Sequence, residues 1–213
     1  RQEIFSFVET ELNEISSTLA DSGSNEYGRV DKVAAWALLS RLYLNAPVYI
    51  GSDMSSQVIA NAEKAISSSY SLNTSDGNGN GSAYDELFLA DNNKNGSQNE
   101  FIFVVQFDGL NSQNWGGGTF MVHAPIGGSM NPSIFGVNGG WGGLRTTKAL
   151  VDKFEYSVTA SNSDGHPTAW SDSRAMFHTD GQNYEMEKVA PFKEGYGVTK
   201  FRNVDVTGAA GSD

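Results

Sequence analysis

Three of the four tryptophans in this sequence, Trp115, Trp141 and Trp170, stand among glycine and polar residues rather than in apolar runs. A flat indole offers an apolar π-face that can stack on the C–H face of a sugar ring, leaving the hydroxyls to hydrogen-bond with nearby polar groups. Gln113-Asn114-Trp115 and Trp170-Ser171-Asp172-Ser173-Arg174 bring amide, carboxylate and guanidinium groups to such rings, and Tyr184 adds another aromatic. The candidate ligand-binding residues are therefore Gln113, Asn114, Trp115, Trp141, Trp170, Asp172, Arg174 and Tyr184. For each ring the competing reading is a plug beneath a loop. That reading wins for Trp36, which lies inside a helical run, and is the nearer alternative for Trp141, which leads towards a helix.

Other chemistries find less footing. Sugar hydrolysis needs two carboxylates facing each other across a substrate. Asp152 with Glu155 (i, i+3) and Glu185 with Glu187 (strand spacing) are the nearest sets, but 25 acidic residues make such pairs common. No G-x-S-x-G elbow and no GK[ST] phosphate cradle occurs. His123, His166 and His178 lack the spacing of a zinc helix, although His166, Asp172, His178 and Asp180 could converge in space. Asp76-Gly77-Asn78-Gly79-Asn80-Gly81 opens like a calcium loop, yet position twelve is Leu87 and Glu86 comes one residue early. Asp91-Asn92-Asn93-Lys94-Asn95-Gly96 repeats that opening with a lysine inserted, so both stretches read as Asx-rich connections.

These residues are carried by a chain of 213 residues with Lys+Arg 14 against Asp+Glu 25, a formal net charge of −11. That balance, with no basic run, argues against nucleic-acid binding. No cysteine is present, so thiolate metal sites, thiol nucleophiles and disulfides are excluded. Aromatic residues at 11% supply enough bulk for a core. The first part reads as helical. Ile4, Phe5, Val8, Leu12, Ile15 and Leu19 make one apolar stripe; a second helix, Asp31 to Asn45, is apolar almost all round and ends at Pro47. A third begins near Asp53 and shows Val58, Ile59, Ala62, Ala65 and Ile66 on one face, so the second and third read as an antiparallel hairpin of tetratricopeptide type. Ser82 starts a short helix ending near Leu89, and Glu100 to Phe107 reads as a strand. Residues 108–143 hold eleven glycines and read as one long loop, followed by a helix from Lys148 to Phe154 and short apolar pieces at Ala175–His178 and Val198–Phe201. The expected fold is mainly α with an irregular, loop-rich α+β lobe: a helical layer over 1–90 and a loop-rich lobe over 91–213 of a single domain.

The order of these pieces resembles the SusD/RagB-like outer-membrane nutrient-binding lipoproteins. The match runs through Gly28-Arg29-Val30-Asp31-Lys32-Val33-Ala34-Ala35 and Ala37 to Leu44, then Ala62 to Ile66 with Tyr70-Ser71-Leu72. It continues through Tyr84, Leu87 and Phe88, the Asn99–Phe103 segment, and Thr146 to Phe154. Asp164-Gly165 with Asp172-Ser173-Arg174, and Gly197 to Phe201, complete it. The resemblance implies a longer chain with a lipidated N-terminal cysteine and an α-α superhelix of tetratricopeptide-like hairpins, incomplete here. It also implies oligosaccharide, polysaccharide or peptide captured on the loop surface, and a TonB-dependent transporter beneath. No lipidation cysteine is present, and little follows the late strand, so the chain is expected to be a fragment whose helical layer leaves apolar faces uncovered. The matched motifs read as architectural, with Asp172 and Arg174 fixing a turn, and the family's variable loops transfer no binding residue.

The expected activity is thus non-catalytic capture of glycan at the cell outer membrane, without a cofactor and with no nucleic-acid partner. The alternatives are a glycoside hydrolase using Asp152 or Glu185, and a scaffold that binds peptide or protein through its helices.

Overall fold

Asp31 has no exposed surface in the computed structural model, which describes residues 1–112 and 114–212. It is the N-cap of helix α2 (Lys32–Leu44): Oδ1 accepts the Val33 N–H at 2.9 Å, satisfying one of the orphan donors of the first turn. Oδ2 accepts the Gly23 N–H at 2.8 Å and the Tyr70 hydroxyl at 2.8 Å. One buried carboxylate thereby ties the turn after the first helix, the start of the second and the exit of the last. Burial, then the adjacent carboxylate, pushes the Tyr70 phenol up to about 12, so it stays a donor throughout the working pH range.

Around this knot, residues 1–73 and 97–106 form one compact unit. Helix α1 (Gln2–Thr18) and helix α4 (Ser55–Ile66) both pack on α2, and the short α3 (Ala46–Ile50) turns the chain between α2 and α4. Pro47 does not simply terminate α2; it sits in the first turn of α3, where its missing N–H costs nothing. The core is Phe5, Leu39, Tyr43 and Ala46, closed by Leu12, Leu42, Met54 and Val58. Of the expected stripe of α1, Phe5 and Leu12 enter this core, whereas Ile4 (70% exposed) and Ile15 (41%) lie outside it, so the buried face is narrower than the apolar spacing implies. Likewise Ile59 and Ile66 on α4, and Leu38 and Leu44 on α2, are exposed, so α2 is covered on part of its circumference only.

The expected strand at 100–107 is absent. Ser97–Glu100 is a 3-10 helix, and 101–107 joins no ladder among the described residues. β-propensity expresses packing against a neighbouring strand, and without one the apolar run stays irregular, with Phe103 and Val105 facing outwards.

The second unit comprises 74–96 and 107–213, so the chain crosses between units three times instead of dividing once near residue 90. Its frame is a three-stranded antiparallel sheet in the order β1 (Arg145–Thr146), β5 (Tyr196–Val198), β4 (Phe177–His178), with Arg145 opposite Gly197 and Phe177 opposite Val198. A two-stranded ribbon pairs β2 (Val158–Ser161) with β3 (Pro167–Trp170). The 108–143 stretch is not one loop: it contains helix α5 (Gly117–His123) and a 3-10 turn at Pro132–Phe135. Their packing buries Ile126, Met130 and Val137 against Val122, Phe135 and Phe192. Helix α6 (Lys148–Val151) gives way to a 3-10 helix, Asp152–Ser157, and Ser82 leads into another, Asp85–Phe88. The Glu185–Glu187 segment is not a strand.

Replacing Asp31 with Ala removes the cap and strands the Gly23 N–H and the Tyr70 hydroxyl. We expect a loss of about 2–4 kcal/mol in urea unfolding followed by far-UV circular dichroism, against about 1 kcal/mol for Tyr70→Phe.

Candidate functional site

The segment at 139–144 is zipped onto the end of α5. Trp141 N–H donates to His123 O at 3.0 Å, Gly142 N–H to Ile126 O at 2.9 Å, and the Gly143 and Leu144 N–H groups both to Ala124 O at 2.8 Å. His123 Nδ1 donates to Gly139 O at 2.7 Å, which fixes the imidazole's tautomer and its plane. Gly140 permits this approach: a Cβ there would drive into the Ile126 carbonyl.

The consequence is a row of rings. Trp141 lies nearly parallel to the buried His123 imidazole, with centroids 5.2 Å apart and planes 14° apart. Phe120, one turn earlier on α5, sits 6.2 Å from Trp141 on its way to solvent, and Trp115 sits 6.2 Å from it, tilted by 48°. Trp115 is 82% exposed, and Trp141 and Phe120 are 42% and 43% exposed. Each ring pair adds roughly 0.5–1.5 kcal/mol beyond burial, which holds the rings in register without covering their outer faces. Asn114 Oδ1 accepts the Gly116 N–H at 2.7 Å, so the Asn114 side chain is braced beside Trp115. The result is a shallow open shelf with an amide at its rim.

The other expected residues fall elsewhere. Gln113 lies outside the described residues. Trp170 belongs to a second aromatic set, 5.3 Å from Phe177 and 6.5 Å from Tyr196, with its Nε1 buried and without an acceptor among the described residues. Tyr184 joins that set through Tyr196 at 5.8 Å and stacks on His166 at 4.7 Å. Its hydroxyl donates to Asp152, and Lys148 Nζ lies 5.5 Å from its ring centre. Burial and then Asp152 raise the Tyr184 phenol to about 12. Asp172 and Arg174 form a clamp with Tyr156: Arg174 donates to Asp172 through its backbone N–H (2.9 Å), Nε (3.0 Å) and a terminal amine (2.7 Å), and the Tyr156 hydroxyl donates to the same carboxylate. Arg174, then Tyr156, holds the Asp172 carboxyl well below the usual carboxylate range. His178 Nε2 pairs with Ser129 Oγ at 3.2 Å, and among the described residues no group of three His, Asp or Glu side chains could hold a metal ion.

Sequence reading left Phe120 and His123 out of the site. Their i, i+3 spacing carries that information only once 117–123 is known to be helical.

No protein-family model matches the chain. The starch-binding protein SusD of Bacteroides thetaiotaomicron is 33% identical over 212 residues, covering 99% of this chain. Over that stretch the chain is similar to SusD. It spans 35% of that relative's length.

Two predictions follow from the geometry. Gly140→Ala should separate 139–144 from α5 at a cost of roughly 1–3 kcal/mol, read as a lowered Tm together with loss of near-UV circular dichroism from the coupled indoles. Because the folded-state Asp172 carboxyl titrates below its unfolded value, its contribution is complete above about pH 4 and disappears as pH falls through the lower folded value. Thermal melts of Asp172→Asn beside the wild type should therefore show a gap at neutral pH that narrows only below about pH 4.

Proposed function

We propose that this SusD-like chain is the ligand-capturing part of a cell-surface glycan-binding protein, which takes up oligo- or polysaccharide and delivers it to a TonB-dependent outer-membrane transporter. The observation that carries the reading is the shelf in which Trp141 is flanked by Trp115 and by Phe120, all three rings standing partly or largely in solvent. Exposed contiguous aromatic surface on a rigid support is a recognition feature. A row of tilted rings suits a chain of sugar rings better than a single one, and the Asn114 amide at the rim supplies hydrogen bonds. The net charge of −11 favours a neutral glycan over an anionic one. The relative bears the name of a starch-binding protein, which makes starch the first probe. Outer-membrane attachment, the transporter partner and a tetratricopeptide-like superhelix completed by further hairpins are the parts of this proposal that rest on the family resemblance.

The proposed role is non-catalytic. A glycosidase acid must be held protonated, whereas Lys148 lowers the Glu185 carboxyl through a 2.8 Å ion pair, and Asp152 accepts the Tyr184 hydroxyl. An open shelf on which water competes for most sugar hydroxyls gives modest affinity.

Affinity electrophoresis in gels containing starch tests the proposal. Retardation should be seen for the wild type and for Trp36→Phe, and should be lost in Trp115→Ala, a change worth on the order of 2 kcal/mol or roughly thirtyfold in affinity. Absence of retardation across a panel of neutral polysaccharides, or release of reducing sugar that a carboxylate variant abolishes, overturns it.

A further inference from the structure

Four asparagine–glycine steps occur in the sequence: Asn78-Gly79, Asn80-Gly81, Asn95-Gly96 and Asn138-Gly139. Such a step is chemically labile, because glycine has no Cβ to keep its backbone nitrogen away from the side-chain carbonyl of the preceding asparagine. Three of the four side chains are held by hydrogen bonds. Asn78 Nδ2 donates to Asp85 at 3.1 Å, and its Oδ1 accepts the Asn80 N–H at 3.0 Å. Asn80 Nδ2 donates to Asp85 at 2.7 Å, its Oδ1 accepts the Ser82 N–H at 2.9 Å, and the Gly81 N–H is itself bonded to Asp76. Asn95 Nδ2 donates to Glu86 O at 3.0 Å and to Asp91 at 3.3 Å. Asn138 differs. It is exposed, and neither its side-chain amide nor the Gly139 N–H has a hydrogen-bond partner among the described residues. A Cβ placed on Gly139 would meet nothing within 4 Å, so the space that ring closure needs is open.

We propose that Asn138-Gly139 is a self-modification site whose reaction undoes the support of the aromatic shelf. In mildly alkaline water, hydroxide removes the Gly139 amide proton and the nitrogen attacks Asn138 Cγ. The new C–N bond closes a five-membered succinimide. The Cγ–Nδ2 bond breaks, and ammonia leaves after taking a proton from water. A second water then opens the ring at either carbonyl. One opening leaves aspartate; the other leaves isoaspartate, in which the former side-chain carbonyl carries the main chain. Either product has a carboxylate where an amide stood. Isoaspartate also inserts a methylene into the backbone, lengthening it by about 1.5 Å. Both flanks are pinned. Val137 is buried in the core of the second unit, while Gly139 O accepts from His123 Nδ1 and Trp141 N–H donates to His123 O. Between them, position 140 lies hard against the Ile126 carbonyl. The added length therefore breaks the bonds to His123, and with them goes the stacking that holds Trp141.

The test is ageing of the full chain in mildly alkaline buffer, followed by peptide mapping with fragment-ion sequencing, isoaspartyl methyltransferase labelling and near-UV circular dichroism. Position 138 should gain one mass unit and a methyl-accepting isoaspartate about tenfold faster than positions 78, 80 and 95, whose amides are tied. Gly139→Ala, whose methyl enters open space, should slow the reaction about tenfold. Asn138→Gln, which would have to close a six-membered ring, should stay unmodified. Both variants should begin with the wild-type near-UV spectrum, and only the aged wild type should lose the signal of the coupled indoles. A matching loss of retardation in starch gels rests on the proposed glycan site. Loss of the near-UV signal with retardation unchanged supports the modification and counts against the shelf as that site. Equal rates at the four asparagines, or modification at 138 that leaves the near-UV spectrum intact, overturns the proposal.

Discussion

The close approach of two backbone segments governs the second unit. Residues 139–144 lie against 123–126 with four N–H groups and one imidazole donating across the gap, and nothing but glycine fits at position 140. Those bonds satisfy polar groups that would otherwise be buried unpaired beside the Ile126, Met130 and Val137 cluster. They also decide where Trp141 stands. A side chain on a glycine-rich connection has little to hold it; one whose own N–H is bonded to His123 O, and whose ring rests on the His123 imidazole, is positioned by the fold.

The first unit uses a different device to a similar end. There a single buried carboxylate, Asp31, gathers three donors from separate stretches of chain. The helices contribute a small core, and several apolar side chains, Ile4, Phe7, Leu44 and Ile66 among them, stay in solvent. A helical layer of this kind draws its order from its polar knot as much as from its packing.

What the residues disclosed in advance follows from how local each signal is. The three long helices were legible because their period repeats over many residues, although on α1 the stripe is buried at Phe5 and Leu12 and exposed at Ile4 and Ile15. The strand expected at 100–107 was not, because a strand is defined by a partner that composition does not reveal. The 108–143 stretch misled in the opposite sense: its glycines spoke for a loop, yet they serve close contacts around a seven-residue helix. At the candidate site, Trp115 and Trp141 were legible as rings in polar surroundings. Their contact with each other, with Phe120 and with His123 is a product of tertiary packing, and so is the removal of Trp170 into an interior cluster.

The exposure of Trp115 carries a practical consequence. An indole standing in water emits at longer wavelength than one that is covered, and Trp115, at 82% exposure, is far more solvated than the half-buried Trp36 and Trp170. Any flat molecule settling on that ring would displace its hydration and move its emission towards the blue, so the molecule carries a built-in optical reporter of occupancy that needs no label.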